Sequence, residues 1–368
     1  MSLTGKSRRK IIVFESDDWG GLGWPDLRTY RKAMRNPDIR SAVNRSAAWR
    51  ISATAMDSLE SVADLDALVG LLLRFRGGDG RPAVFTPVYF LANPDYDAIR
   101  ARGFTAYYDR GIDAEYPPPW RARGDVLAKA RAGICLGVWA PESHNTRAAG
   151  HFDPHKWVRL LREGKDRGFS AFFDLRMIGK PAEVTTDKGL EFDSMGLDEL
   201  NRWVKTGTNY FRNAFGYAPR VSGLADARGR CKALAEIMEK ILARHGVKTI
   251  LNAANRAMGA YNRELDLVYI KRNAVFEPLG IKARATKGGW KSCYAEILKA
   301  WSENQPAIVN THRVNYTSLD PAKKAESLRQ LECLLALVQK EHPEAVYHSS
   351  YELGRNYRRL ALAGSPKN

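Results

Sequence analysis

Three carboxylates follow the first apolar segment of the chain, in the run Ile11-Ile12-Val13-Phe14-Glu15-Ser16-Asp17-Asp18-Trp19-Gly20-Gly21. Adjacent Asp17 and Asp18 repel each other unless a cation or a shared proton compensates. Two carboxylates at the end of a buried strand can divide the chemistry, one coordinating a divalent metal and the other acting as a base. A solvated turn is the alternative, because Asp-Trp-Gly-Gly is also favourable turn chemistry.

His312 ends the apolar run Ala307-Ile308-Val309-Asn310-Thr311. An imidazole at a strand end can protonate a leaving group near neutral pH, since its ordinary pKa is about 6.5. The alternative is a core histidine that hydrogen-bonds a backbone carbonyl. The neighbouring Arg313 could bind a carboxylate or sulfate on a substrate, or pair with Glu277.

Three further histidines have the chemistry of metal ligands. His144 follows the predicted third strand, and His151 and His155 are four residues apart near the predicted start of a helix. Carboxylate and neutral imidazole suit Zn, Co or Ni, so Asp18, His144 and one of the later pair could assemble a metal site. For His151 and His155 the start of a surface helix is the alternative.

Other side chains near predicted strand ends are candidates for binding substrate. Glu277 lies between Phe276 and Pro278, a setting that predicts either a raised pKa or a partner such as Arg272 or Asn273. Aromatic rings near strand ends can stack on sugar faces or simply pack in the core: Trp19, Trp24, Tyr89, Trp139 and Tyr316. The predicted substrate-binding residues are Glu15, Trp19, Arg272, Asn273, Glu277 and Arg313.

Apolar, β-rich segments alternate with amphipathic helical segments along the whole chain, a pattern typical of a parallel sheet or barrel with helices outside it. Strands are predicted at 10–15, 83–90, 134–140, 170–175, 220–224, 247–251, 307–311 and 345–349, and helices at 57–75, 155–162, 198–215, 230–245, 294–301 and 321–341. With no linker or repeat in 368 residues, we expect one α/β barrel domain over 1–368, irregular and seven- or eight-stranded. Reactive residues of such barrels lie on the loops after the strands.

Several of these segments resemble the polysaccharide deacetylase superfamily (NodB homology, carbohydrate esterase family 4), and more closely a divergent bacterial branch of it. The resemblance begins at the Asp17-Asp18 motif and covers nearly the whole chain. Its other segments are Asn93-Pro94-Asp95, Arg272-Asn273-Ala274-Val275-Phe276-Glu277-Pro278, Thr311-His312-Arg313-Val314-Asn315-Tyr316 and Tyr351-Glu352-Leu353-Gly354.

The resemblance implies a hydrolase with a polysaccharide deacetylase-type barrel. It implies Asp17 as general base, Asp18 as metal ligand and His312 as general acid. His144 lies at the place of the family's histidine pair, although Ala140 stands four residues before it. The implied cofactor is a divalent metal, with zinc as first choice and Asp18, His144, His151 and His155 as its candidate ligands.

The composition narrows the possible functions. The net charge of +17 favours an acidic saccharide substrate and leaves nucleic acid as the last choice, because no nucleic-acid-binding module is recognisable. No apolar run could span a membrane, and only four apolar residues follow the basic N-terminal run, so a cytoplasmic protein is expected. The four cysteines are scattered, and neither a phosphate-binding loop nor a G-x-S-x-G elbow is present.

The leading hypothesis is therefore a metal-dependent hydrolase that deacetylates an N- or O-acetylated saccharide. One alternative is a metal-free glycoside hydrolase that uses carboxylates among Glu15, Asp17, Asp18 and Glu277. A catalytically silent saccharide-binding barrel is the other.

Overall fold

A computed structural model describes residues 9–24, 26–35, 37, 56–116, 123–144, 162, 196–223, 232–251, 256–279 and 289–363. The strands are β1 (Ile11–Trp19), β2 (Phe85–Tyr89), β3 (Ala92–Pro94), β4 (Asp109–Gly111), β5 (Glu142–His144), β6 (Val221–Gly223), β7 (Thr249–Leu251), β8 (Tyr261–Asn262), β9 (Leu267–Ile270), β10 (Ala274–Val275), β11 (Ala307–His312) and β12 (Val346–Tyr347). The helices are α1 (Leu27–Arg35), α2 (Val62–Leu73), α3 (Tyr96–Ala101), α4 (Arg123–Cys135), α5 (Leu197–Phe215), α6 (Lys232–Arg244), α7 (Trp290–Ser302), α8 (Val314–Thr317), α9 (Pro321–Glu341) and α10 (Ser350–Ala363).

One large sheet organises the described residues, in the order β10-β11-β1-β2-β5-β6-β7-β9-β8. Its first eight strands are mutually parallel, β8 is antiparallel to β9, and β12 pairs with the start of β1. A small antiparallel pair, β3 with β4, stands apart. Because parallel strands are covered on both faces, the first residues of β1 and β11 form apolar runs, 11–14 and 307–309, before polar residues begin.

The two faces of the sheet pack against different elements. Ile12 and Phe14 point to the outer face, where they join the core formed with α2, α4, α7 and α9. Val13 and Ile308 point to the inner face, where they join a cluster with Leu353 of α10. The C-terminal helix therefore covers the inner face of the sheet.

Helix α10 also shows that the sheet is curled. It contacts β1 as well as β7, β8 and β9, although β2, β5 and β6 separate β1 from β7. A sheet that curls around the helix brings strands that far apart into contact with it. At the contact with β7 a Cβ on Gly354 would stand 2.0 Å from Thr249 Oγ1, so glycine permits this close approach.

The α/β class, the parallel strands and the outer helices are confirmed. Within the described residues the sheet keeps two edges, β10 and β8, so it forms part of a barrel there rather than a closed ring. The strand predicted at 134–140 begins too early: α4 continues to Cys135, Trp139 forms an isolated parallel bridge with Phe85, and β5 begins at Glu142. The predicted strand at 170–175 lies outside the described residues, as does the predicted helix at 155–162 apart from residue 162.

Helices α1, α3, α4 and α10 were not expected from the sequence pattern. Of the expected helices, α9 has the clearest local signals: the Asp320 carboxylate accepts hydrogen bonds from the amides of Ala322 and Lys323, and Pro321 occupies the first turn. Among the described residues no helix combines the length and apolar character needed to cross a bilayer.

Candidate active site

The pairing of β1 with β11 aligns the candidate residues in layers. Asp17 pairs with His312, Glu15 with Asn310, and Val13 with Ile308. Side chains alternate between faces along a strand, so Glu15 and Asp17 share the inner face with Val13. Along the inner face, the layer at Val13 is therefore apolar and the layer at Glu15 is polar. The Asp17 carboxylate and the His312 imidazole lie in the last layer, at the strand ends.

Arg272, just after β9, holds Asp17 in a two-pronged ion pair. Its Nη1 donates to Asp17 Oδ2 and its Nη2 to Oδ1, both at 2.5 Å. The two side chains are 11 % and 15 % exposed. Burial would lower the pKa of Arg272, but Asp17 and Glu15 outweigh it and raise the pKa, so the guanidinium stays charged. This geometry fixes the orientation of the Asp17 carboxylate.

Glu277 holds His312 in the same manner from the other side. Glu277 Oε1 lies 2.5 Å from His312 Nδ1, and Asn315 donates to Oε2 at 2.8 Å. Burial would lower the pKa of His312, but the contact with Glu277, with smaller contributions from Asp18 and Asp17, raises it to about 9. His312 is therefore an imidazolium at neutral pH.

The two pairs meet across a short gap. His312 Nε2 lies 4.0 Å from Asp17 Oδ2, and the side chains are 17 % and 15 % exposed. A carboxylate and an imidazolium at this distance, each held by its own ion-pair partner, can take a proton and supply one to the same bound molecule. The sequence-predicted base and acid are thus neighbours.

A buried polar layer lies directly beneath them. Glu15 is fully buried, and its Oε2 accepts from Arg272 Nε at 2.7 Å while its Oε1 accepts from Ser350 Oγ at 2.7 Å. Asn310 accepts from Arg272 Nη1 at 2.6 Å. Burial raises the pKa of Glu15, against the opposing effect of Arg272. The sequence predicts Glu15 to bind substrate, and in the structure its carboxylate contacts Arg272 and Ser350 inside the protein.

Asp18 occupies a strained position at the end of β1. Its φ is 73°, and the pairing of β1 with β2 shifts register between Ser16 and Trp19. A left-handed residue in a register shift is characteristic of a β-bulge, which redirects the following chain. Because of the bulge, Asp18 does not continue the regular alternation of side chains that places Asp17 on the inner face, although the two residues are adjacent in sequence.

The loop after Asp18 is fixed by a second ion-pair cluster, composed of Asp57, Glu60, Arg123 and Arg313. Arg313 donates to Asp57 at 2.6 Å and to the Gly21 carbonyl, and Arg123 donates to Glu60 at 2.6 Å. Burial would raise the pKa of Glu60, but Arg123 and Arg313 hold it below its ordinary value.

This cluster holds Arg313, which the sequence predicts to bind substrate or to pair with Glu277. Arg313 is 1 % exposed and pairs with Asp57 rather than with Glu277 or a substrate anion. Its backbone amide donates to the Asp17 carbonyl at 3.0 Å, so it supports the strand end from behind.

Two other residues predicted to bind substrate, Asn273 and Trp19, also have partners within the protein. The side chain of Asn273 accepts a hydrogen bond from the Ile308 amide and donates one to the Pro306 carbonyl. It therefore joins the segment between β9 and β10 to the start of β11. The indole of Trp19 is fully buried, donates to Ser16 Oγ at 2.8 Å and packs edge-on against Trp139. All the rings proposed for stacking on a sugar are less than a twentieth exposed: Trp19, Trp24, Tyr89, Trp139 and Tyr316.

Glu277 has neither of the partners expected for it. Arg272 contacts Asp17 and Glu15 instead, and His312 and Asn315 satisfy the Glu277 carboxylate. Glu15 and Glu277 are also 0 % and 2 % exposed, so neither is placed to attack or protonate a glycosidic bond.

The predicted metal site includes two histidines, His151 and His155, that lie outside the described residues. Within the described ranges no group of three histidine, cysteine, aspartate or glutamate side chains could hold a metal ion. The backbone does bring Asp18 and His144 to one edge of the sheet, because Tyr89 of β2 pairs with Trp19 and with Ser143.

Sequence reasoning missed several residues that position the site. Asn310 could have been found from the period of two that places it on the same face as His312. Asn315 lies three residues after His312, within the quoted motif. Ser350, Asp57 and Glu60 come from distant parts of the chain and carried no local signal.

Comparison with known proteins finds weak similarity. No protein-family model and no curated protein matches the sequence. Among solved structures, a protein assigned as a polysaccharide deacetylase from Mycobacterium smegmatis is 11% identical, with 100% of this chain and 96% of that chain covered and a TM-score of 0.46. A probable polysaccharide deacetylase from Pseudomonas aeruginosa PAO1 is 10% identical, with coverages of 98% and 94% and a TM-score of 0.45.

Puue allantoinase is 10% identical, with coverages of 99% and 94% and a TM-score of 0.46. Similarity this weak identifies neither substrate nor residue roles, which have to be argued from the site itself.

Proposed function

We propose that this protein is a hydrolase that removes an acetyl group from an N- or O-acetylated saccharide, with Asp17 as general base and His312 as general acid. The observation that carries the proposal is the 4.0 Å separation between Asp17 Oδ2 and His312 Nε2. The saccharide class comes from the sequence resemblance alone. The acid–base chemistry comes from the geometry of the site.

The proposed reaction divides proton transfer between the two side chains. Asp17 takes a proton from water as the water oxygen attacks the acetyl carbon. His312 then donates its Nε2 proton to the sugar oxygen or nitrogen as the bond to the acetyl carbon breaks, and acetate leaves. The Nδ1 contact with Glu277 keeps the imidazolium charged and directs Nε2 towards Asp17. Arg272 keeps the Asp17 carboxylate in one orientation.

A divalent cation, zinc by first choice, is part of the proposal. Asp18 and His144 would hold it together with His151 or His155, since carboxylate and imidazole are ligands that zinc accepts. When bound, such an ion polarises water and the acyl carbonyl. The described residues do not by themselves complete a ligand set, so no step above depends on the ion.

The site does not favour an acidic substrate. Arg272 and Arg313, the two guanidiniums expected to bind an anion, are both paired with carboxylates of the protein. The carboxylates of Asp17, Asp18, Glu15 and Glu277 surround Arg272 and the His312 imidazolium. We therefore expect the reacting end of the saccharide to carry no carboxylate or sulfate.

The test is acetate release from acetylated glucosamine oligosaccharides and acetylated xylan. Wild-type protein is assayed after chelation and after adding back zinc or cobalt, beside Asp17→Asn and His312→Gln. Each variant should lose at least about 100-fold in kcat, the usual contribution of an acid or base. His245→Gln is the matched control. His245 follows the last residue of α6, contacts Asn201 and lies outside the site.

The outcomes separate the candidate functions. Absence of acetate release in every metal state would contradict the proposal. Retained saccharide binding with no turnover would identify a silent saccharide-binding protein, and new reducing ends without acetate would identify a glycoside hydrolase. Equal activity of His312→Gln and wild type would remove His312 from the mechanism.

A further inference from the structure

The buried polar layer beneath the active site links Arg272 to the C-terminal helix. Glu15 is 0 % exposed, and each of its two oxygens accepts one strong hydrogen bond, from Arg272 Nε and from Ser350 Oγ, both at 2.7 Å. Ser350 is also fully buried, and its amide donates to Thr86 Oγ1 on β2 at 3.2 Å. A continuous chain of contacts therefore runs from Ser350 through Glu15 and Arg272 to Asp17.

The hydroxyl of Ser350 is not needed to begin α10. Ser349 Oγ accepts from the Glu352 amide at 3.2 Å, and the Glu352 carboxylate accepts from the Ser349 amide at 2.9 Å. These reciprocal bonds are the usual cap of a helix N-terminus. The Ser350 side chain is thus left to contact Glu15.

Helix α10 is itself held firmly in place. Leu353 belongs to the inner apolar cluster with Val13 and Ile308, and Gly354 lies against Thr249 of β7. A helix packed this closely presents Ser350 at a defined position. It can therefore define the position of Glu15 as well.

A carboxylate at position 15 is difficult to explain by packing. Burying an ionisable group is costly unless it is paired, and an apolar side chain would fill the same space without that cost. What a carboxylate provides here is a charged anchor for Arg272 at Nε, while the two terminal nitrogens contact Asp17 and Nη1 also contacts Asn310. With Nε fixed, the guanidinium plane cannot rotate away from Asp17.

We propose that Glu15, anchored by Ser350, is a positioning residue that fixes the plane of Arg272 and so the orientation of the Asp17 carboxylate. In this arrangement α10, although distant in sequence from Glu15, helps to position an active-site residue. The inference rests on the proposed function for its effect on catalysis, but the orientation of Arg272 can be measured without any substrate.

The experiment compares Glu15→Gln, Ser350→Ala and Ser350→Thr with wild type. Glutamine keeps the shape and removes the charge, alanine removes the anchoring hydroxyl, and threonine restores a hydroxyl. Ser327→Ala is the matched control, because Ser327 is fully buried and its hydroxyl has no hydrogen-bond partner among the residues that the structure describes. Far-UV circular dichroism and thermal unfolding identify any variant that fails to fold.

The substrate-free measurement is hydrogen exchange at Arg272 Nε–H by 15N NMR, assigned by loss of the signal in Arg272→Lys. We expect exchange at least about tenfold faster in Ser350→Ala and Glu15→Gln than in wild type, because the buried hydrogen bond is weakened. Ser350→Thr and Ser327→Ala should exchange like wild type. Unchanged exchange in folded Ser350→Ala and Glu15→Gln would overturn the proposal, whether or not the protein hydrolyses a saccharide.

The catalytic measurement then separates positioning from general destabilisation. Kcat for acetate release should fall at least about tenfold in Glu15→Gln and Ser350→Ala, with KM within about twofold, because misplacing a reacting group slows chemistry more than binding. Threonine at position 350 should restore most of kcat. An active wild type with unchanged kcat in both variants would refute the positioning role and leave the proposed function standing.

Discussion

Replacing Glu277 by glutamine isolates the group that keeps His312 charged. The amide oxygen of glutamine can still accept from His312 Nδ1, while its amide nitrogen replaces the oxygen that accepts from Asn315, so the contact with His312 is kept, the negative charge is lost and the bond from Asn315 is given up. The pKa of His312 is about 9 against an ordinary 6.5, and burial acts in the opposite direction. Without the Glu277 charge, the His312 pKa should fall to about 6.5 or lower.

The expected effect on catalysis follows from the protonated fraction. At about pH 7.5, a pKa of about 9 leaves roughly 97 % of His312 protonated, whereas a pKa of about 6.5 leaves roughly 9 %. We therefore expect kcat of Glu277→Gln to fall about tenfold at that pH and to recover in part towards about pH 6. In wild type the activity should decline as the pH rises through about 9.

The same pairing makes folding stability depend on pH. Because the folded pKa of His312 is raised, the stabilisation is complete below about pH 6.5 and is lost as the pH rises through about 9. Its size is on the order of 3 kcal/mol, from about 1.4 kcal/mol for each pH unit between the two pKa values. Urea unfolding of wild type should show this loss between about pH 6.5 and 9, and Glu277→Gln should show little of it.

NMR titration of the histidine ring signals between about pH 5 and 10 measures the pKa of His312 directly, with the signal assigned from His312→Gln. His342 serves as an internal control, because burial and Lys10 lower its pKa and Glu277 lies elsewhere. The reasoning is refuted if the His312 pKa stays near 9 in Glu277→Gln. A shift of the same size at His342 would indicate a general change in structure instead.

Three further substitutions test the packing and the strain around the site. Arg272→Ala leaves Glu15 buried without its cation, so urea unfolding should show a loss of about 3 to 5 kcal/mol. Gly354→Ala places a Cβ 2.0 Å from Thr249 Oγ1, and the overpacked helix should unfold with a free energy about 1 to 3 kcal/mol lower. Asp18→Gly removes the strain of a φ of 73° and should raise the free energy of unfolding by about 0.5 to 1 kcal/mol. The same substitution should abolish activity. A free energy of unfolding equal to or lower than that of wild type would show that the bulge is not strained.

The sequence alone determined the class of the fold and the edge at which chemistry is expected. Apolar strands such as Ala307–His312, followed by polar residues, predict a parallel sheet whose functional side chains gather at the strand ends. Local signals also determined α9, whose cap and proline are read directly from the chain. These features depend on residues close together in sequence, so no knowledge of the folded neighbours is needed.

The tertiary structure decided which charges meet. Three pairings join residues 35 or more positions apart in sequence: Arg272 with Asp17, Arg313 with Asp57, and Glu277 with His312. From sequence, Arg272 and Arg313 were equally available to Glu277 or to a substrate. The choice among them depends on strand order and register, which arise from the packing of the whole sheet.

Tertiary structure also decided burial. The indole of Trp19 follows a reactive motif, yet the bulge at Asp18 directs it into the outer core. The alternation of Glu15 and Asp17 shows that the two share a face, but only the presence of α10 on that face makes Glu15 a buried anchor and leaves Asp17 at the edge. A side chain's own sequence neighbourhood fixes its direction along a strand, while the elements that cover it fix whether it meets water, another charge or a substrate.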